Sequence, residues 1–206
     1  MQKGIKFRIY PNKEQQNLIN QTLGCCRLIY NKGLAMRNEA YESGNKIGYA
    51  QTSAMLTELK KCEDFAFLKV VDSIALQQSL RDLDRGFVNF FQKRAAHPTF
   101  KSKHNRHQSY RTVNQGNNIR IAGKYIKLPK LGYTKIRQSM EVGKINNVTI
   151  KCTPAGKCFA VLNVEFEPQP RANNGGCIGI DVGIKDFYSD SNGKVASNPK
   201  YLEKSM

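Results

Sequence analysis

The polar and apolar positions of this chain change period once, near the middle. In the first ten residues Lys6 and Arg8 alternate with Ile5, Phe7 and Ile9. That period of two predicts a strand with one buried face, ended by Pro11. Asn12-Lys-Glu-Gln-Gln then supplies acceptors and an acid suited to a helix start. Leu18, Ile19, Leu23, Cys26, Ile29, Tyr30 and Leu34 recur near helical spacing as far as about Glu42. Gly24 and Gly33 interrupt the run, which allows a bend or two shorter helices. A second helix is predicted over 52–61 on Met55, Leu56 and Leu59, a short one over 65–70, and a long third one over 73–94. Leu76, Leu80, Leu83, Phe87, Phe90 and Phe91 give the third helix the clearest apolar stripe, which reads as bundle core and not as a ligand pocket.

After His97-Pro98 the pattern becomes short alternating runs divided by Gly and Asn, at 119–121, 125–128, 134–136, 148–150 and 159–166. Strands at this spacing suggest a small antiparallel barrel or sandwich. Pro168 to Gly176 reads as a linker. Next comes Cys177-Ile-Gly-Ile-Asp-Val-Gly-Ile-Lys-Asp186, which reads as a short buried strand. Alternation puts Ile178, Ile180 and Val182 on one face, able to enter a core. Gly179, Asp181 and Gly183 fall on the other, leaving one carboxylate where a metal ion and a phosphate backbone have room to approach. By itself the pattern also fits an ordinary strand with an Asp near a turn.

Charge sharpens the picture. The 206 residues hold 33 Lys and Arg against 16 Asp and Glu, a net charge of +17. Between Arg85 and Met140 there is no acid at all, while all three histidines (97, 104 and 107) lie there. A one-sign stretch repels itself unless a polyanion compensates. Aromatics interleaved with these cations favour nucleic acid over an acidic membrane, because stacking on bases needs that mixture. Lys101, Lys103, Arg106, Arg111, Lys127 and Lys130 are candidate phosphate contacts, and Tyr110 and Tyr133 are candidates to stack on unpaired bases. For the two tyrosines, burial in the β-module is an almost equal alternative. No run approaches the roughly 18 apolar residues of a membrane span, and the N-terminus reads as a strand, not a signal peptide. The six cysteines form no Cys-x-x-Cys pair, so zinc is not expected. Reduced thiols in a cytoplasmic protein are the economical reading, with Cys152 and Cys158 facing each other across a hairpin as packing residues.

Several segments in this order resemble the TnpB (OrfB-type) proteins of small insertion-sequence transposons. The resemblance is carried by Lys6-Phe-Arg-Ile-Tyr-Pro11 and the helix after it, by 73–91, and by Pro98-Thr-Phe-Lys-Ser-Lys103. It continues through Ile126-Lys-Leu-Pro-Lys-Leu-Gly132 and Ile178-Gly-Ile-Asp-Val-Gly-Ile-Lys-Asp-Phe187. It implies an α+β fold: a helical lobe inserted after the first strand of a small antiparallel β-barrel, then the first strands of an incomplete RNase H-like (RuvC) domain. The corresponding boundaries are 1–10, 11–96, 97–170 and 171–206. It further implies a guide RNA and target DNA as partners, no membrane, and Asp181 as a catalytic ligand for Mg²⁺. Two-metal chemistry needs further carboxylates nearby, and after Asp181 only Asp186, Asp190 and Glu203 remain. The expectation is therefore a nucleic-acid-binding part that does not cleave alone. A helix-turn-helix repressor built on 12–42, with Gly24 near its turn, and a decayed reading frame are the alternatives. The sequence leaves the oligomeric state open.

Overall fold

The computed structural model describes residues 1–106, 108–167, 175–201 and 203. The chain divides into two compact units, 1–167 and 168–206. Most of the expected linker, 168–174, and His107 lie outside the described residues.

The first unit begins with β1 (Gln2–Tyr10), followed by α1 (Lys13–Glu42), α2 (Tyr49–Lys61), a 3-10 segment (Glu63–Lys69) and α3 (Ser73–Phe91). Six strands follow: β2 (Gln108–Val113), β3 (Arg120–Ala122), β4 (Tyr125–Leu128), β5 (Gly132–Arg137), β6 (Ile145–Cys152) and β7 (Cys158–Glu165). β2 is a strand that the periodicity did not predict. All seven form one antiparallel sheet in the order β2-β6-β7-β1-β5-β4-β3. The expected barrel does not close, because β2 and β3 are its two edges and are not paired with each other. The sheet is a curled half-barrel.

α1 is a single helix of 30 residues, so neither glycine breaks it. Its N-terminus carries a capping box: Asn12 Oδ1 accepts from the Gln15 amide at 2.8 Å, and Gln15 Oε1 accepts from the Asn12 amide at 3.1 Å. Gln15 Nε2 also donates to the carbonyls of Leu131 and Tyr133, each at 3.0 Å. One side chain thus both caps the helix and ties it to β5. At Gly33 α1 packs tightly against α3. A Cβ there would sit 2.9 Å from Leu80 Cδ2 and 3.1 Å from Leu83 Cδ2, so packing, and not a bend, accounts for this glycine.

The helices lie over one face of the sheet. Ile5, Phe7 and Ile9 of β1, Val148 and Ile150 of β6, and Ala160 and Leu162 of β7 share a core with Ile19, Leu23 and Ile29 of α1 and Leu76 and Leu80 of α3. The helical and β segments therefore share a core. Cys152 and Cys158, directly opposite each other on β6 and β7, are joined by a disulfide. This corrects the expectation of reduced packing residues. A directly opposed pair at a hairpin end brings two thiols close enough to bond.

The α3 stripe is corrected in part. Leu76, Leu80, Leu83 and Phe87 are buried, but Phe91 is 70% exposed, and Phe87, Phe90 and Phe91 line a cavity. The second unit contains β8 (Ile180–Asp181), β9 (Asp186–Asp190) and β10 (Val195–Ser197) in a three-stranded antiparallel sheet of order β10-β9-β8. Its apolar side chains are exposed, Ile180 to 61% and Val182 to 72%. The buried strand expected there is an exposed one, since three short strands offer no second layer to pack against.

Candidate nucleic-acid interface

With Ile5, Phe7 and Ile9 pointing into the core, strand alternation sends Lys6, Arg8 and Tyr10 to the opposite face of the sheet. Register extends this face sideways. Arg8 lies between Phe159 and Arg137, and Tyr10 is opposite Lys135. Lys135 is in turn opposite Tyr125, while Lys127 lies between Tyr133 and Arg120. Lys151 is opposite Phe159 from the other side. Seven cations therefore share one outer face with four aromatic rings. The acid on this face among the described strand residues, Glu165, sits at the end of β7 and pairs with Lys144 at 3.0 Å.

Like charges directly opposite one another destabilise a sheet, and here that occurs twice, at Arg8–Arg137 and Arg120–Lys127. Nearby rings relieve part of the cost. Lys6 Nζ lies 4.3 Å from the Phe159 centroid, and the Arg8 guanidinium lies 5.3 Å from the rings of both Tyr10 and Phe159. Tyr10, Tyr125 and Tyr133 keep about half of their surface exposed. Arg120 Nη2 donates to the Tyr133 hydroxyl at 3.1 Å. That hydrogen bond and the charge of Arg120 hold the phenol below its ordinary pKa. A platform of this kind offers cations for phosphates and flat rings for bases.

The structure divides the residues singled out in the sequence. Lys127 and Tyr133 face each other on the platform, and Lys130 occupies the β4–β5 turn with a left-handed φ of 64°. Lys103 and Arg106 are exposed on the segment before β2. Lys101 is an exposed residue whose ammonium folds back onto α1. Its main chain is held by Asn31 through bonds of 2.8 and 3.0 Å, and its ammonium rests 3.9 Å from the Tyr30 centroid. Burial lowers its pKa, with Asp82 and Cys26 acting in the other direction. Arg111 is ion-paired with Asp82 of α3, so its charge is already compensated. Tyr110 is corrected: it is buried in the core, where desolvation raises its pKa, and it cannot stack on a base. Strand alternation inverts its role, because the β2 face that carries Tyr110 is the one packed under the helices.

Lys6, Arg8, Tyr10, Lys135, Arg137 and Lys151 were not among the residues singled out from the sequence. The alternation of Lys6, Arg8 and Tyr10 with apolar residues already marked them as one face. Their meeting with Lys135 and Arg137 depended on pairing β1 with β5, far apart along the chain.

In the second unit Asp181 is opposite Ser189, and Ile180 is opposite Asp190. Asp186 and Asp190 therefore occupy the face away from Asp181. Asp190 Oδ1 moreover accepts from the amides of Asn192 and Lys194, each at 2.9 Å. Among the described residues no three metal-ligating side chains converge, and the donor set around Asp181 does not fit a two-metal centre.

Comparison with known proteins identifies a family model and several relatives. A family model of the OrfB/IS605 group, described as "Helix-turn-helix domain", matches residues 1–46. Those residues comprise β1, all of α1 and the start of the turn toward α2. A Streptomyces pristinaespiralis protein named "Putative RNA-guided DNA endonuclease" is 36% identical over 98% of this chain and 51% of its own length. "Putative RNA-guided DNA endonuclease InsQ" of Escherichia coli (strain K12) is 36% identical over 93% of this chain and 48% of its own length. "Virulence protein VsdF" of Salmonella dublin is 35% identical over 50% of this chain and 96% of its own length. The chain thus spans about half the length of the two endonuclease-named relatives.

Proposed function

Because the chain belongs to the OrfB (TnpB-type) family of transposon-associated proteins, we propose that it is the nucleic-acid-binding part of an RNA-guided DNA endonuclease, gripping a structured guide RNA and the target DNA beside it. One observation carries the reading: the sheet tolerates Arg8 opposite Arg137 and Arg120 opposite Lys127 on a face with almost no acid. A phosphate backbone turns that repulsion into binding. The guide would supply sequence specificity by pairing, while the protein reads backbone shape and a short flanking motif.

In this proposal Lys127, Lys130, Lys103 and Arg106 contact phosphate, joined by Lys6, Arg8, Lys135, Arg137 and Lys151, and Tyr133 stacks on an unpaired base. Asp181 sits on the first strand of an RNase H-like (RuvC) nuclease domain and presents a single Mg²⁺ ligand. With no second carboxylate on its face among the described residues, the 206-residue chain binds without cutting, and no cleavage step is assigned to it. Mg²⁺-dependent cutting by this chain, abolished in Asp181→Ala, would contradict that assignment.

The test is salt-dependent binding of the purified chain to structured transposon-end RNA and to duplex DNA. If about eight phosphates are neutralised, log affinity falls against log salt with a slope near −6 to −7, and RNA is preferred at matched salt. Tight binding of one particular duplex without RNA would favour a repressor instead. The turn expected near Gly24 within 12–42 is absent, because α1 runs unbroken from Lys13 to Glu42, so such a reading would have to use the α1-turn-α2 pair instead.

A further inference from the structure

At the end of the helical lobe, away from the strands of the platform, lies a cavity of about 630 Å³, within the range of small-ligand sites. We infer that this cavity holds one unpaired purine base of the bound nucleic acid. The inference rests on the nucleic-acid-binding reading and adds a site that the reading does not contain.

The walls are aromatic. Phe87, Phe90, Phe91 and His97 line it, and the His97 ring meets Phe87 and Phe90 edge-on at 5.3 and 5.1 Å. Such a wall gives a flat ring a face to stack on. The rim is polar in a way that suits a base edge. Asn38 and Asn45 each present an amide that donates and accepts, and neither side chain has a hydrogen-bond partner among the described residues. An Asn amide paired with the N6 and N7 edge of adenine is a recurrent recognition geometry. Lys46 adds a cation at the rim for the attached phosphate.

The cavity is preformed. Arg37 stacks 4.5 Å from the Phe87 centroid, donates from Nε to the Ile47 carbonyl at 3.0 Å, and pairs through Nη2 with Asp84 at 2.7 Å. Those interactions pin the loop after α1 to both long helices, so little ordering remains to be done on binding. They also use the Arg37 charge, leaving Lys46 as the cation available to a ligand. A hydrophobic segment of a protein would bury the two free amides unpaired, whereas a base satisfies them.

The test exploits the absence of tryptophan from the chain. In a Phe91→Trp variant with an unchanged melting curve, AMP should quench the indole saturably. Ribose 5-phosphate at the same concentration should not, and adding Asn45→Ala should weaken the AMP response at least about threefold. In parallel, Phe91→Ala should weaken binding of an oligoadenylate about fivefold or more. Equal quenching by ribose 5-phosphate overturns the inference, because it would report the phosphate alone. No AMP response and no effect of Phe91→Ala, with oligonucleotide binding intact, overturns the inference while leaving the platform reading standing. Absence of any oligonucleotide binding overturns both. A concentration-dependent dimer that Phe91→Ala abolishes would identify a second copy of the chain as the occupant and overturn the inference.

Discussion

Arg8 and Arg137 are directly opposed across the β1–β5 pair, both on the outer face of the sheet. Two guanidinium groups in that relation cost stability in the free protein and favour an anion between them. Arg137→Gln should therefore raise stability by about a few tenths of a kcal/mol while weakening RNA binding. It should flatten the salt slope by about 0.7 to 0.9 for each phosphate no longer neutralised. Urea melts and binding at three or more salt concentrations check the two halves. An unchanged slope removes Arg137 from the interface.

The close approach at Gly33 makes a second prediction. With Leu80 Cδ2 only 2.9 Å from where a Cβ would stand, Gly33→Ala overpacks the α1–α3 contact. A cost of roughly 1 to 3 kcal/mol is expected, despite the better helix propensity of alanine. Gly24→Ala, where a Cβ meets only a flexible Arg27 nitrogen at 4.0 Å, should be neutral or stabilising. Comparing the two chemical denaturation midpoints separates packing from propensity.

Alkaline pH should unfold the protein partly through Cys26. Burial foremost, with the neighbouring Cys25 adding to it, pushes the Cys26 thiol up to about 12 from an ordinary value of 9.0. The folded state keeps this proton where the unfolded state loses it, so the stabilisation is complete below about pH 9 and disappears as pH rises toward about 12. Within that window the group contributes a slope of about −1.4 kcal/mol per pH unit. Melting temperatures recorded from about pH 8 to 11 should fall, and Cys26→Ala should show a shallower fall. Equal slopes in both proteins would refute the assignment.

The Cys152–Cys158 bond closes a loop with a sequence separation of 6. A loop that short restrains the unfolded chain only modestly, by about 2 kcal/mol in the chain-entropy account. Reduction should lower the melting temperature without unfolding the protein at ambient temperature, because the surrounding strand pairs remain. Thermal melts with and without reductant, with a Cys152→Ala variant as control, measure the effect. Complete unfolding on reduction would show that the hairpin depends on the bond.

How much of the protein was legible in its sequence varies with the range of the interaction involved. Periods of two and 3.6 along the chain were enough to place β1, the helices and most of the strands, since those patterns arise between near neighbours. The acid-free cationic stretch and the family resemblance were also visible, and both pointed to nucleic acid. Three features were decided only by tertiary structure. Tyr110 and Tyr133 carry similar local patterns, but the layering of helices on one face of the sheet buries the first and leaves the second half exposed. Arg8 and Arg137 became neighbours through a strand pairing that no local signal encodes. Phe90 and Phe91 continue the apolar stripe of α3 past its buried part, and there they line a cavity with Asn38 and Tyr41 of α1 instead of filling a core. Sequence periodicity specifies which side chains share a face, whereas what covers that face is set by chain segments far away.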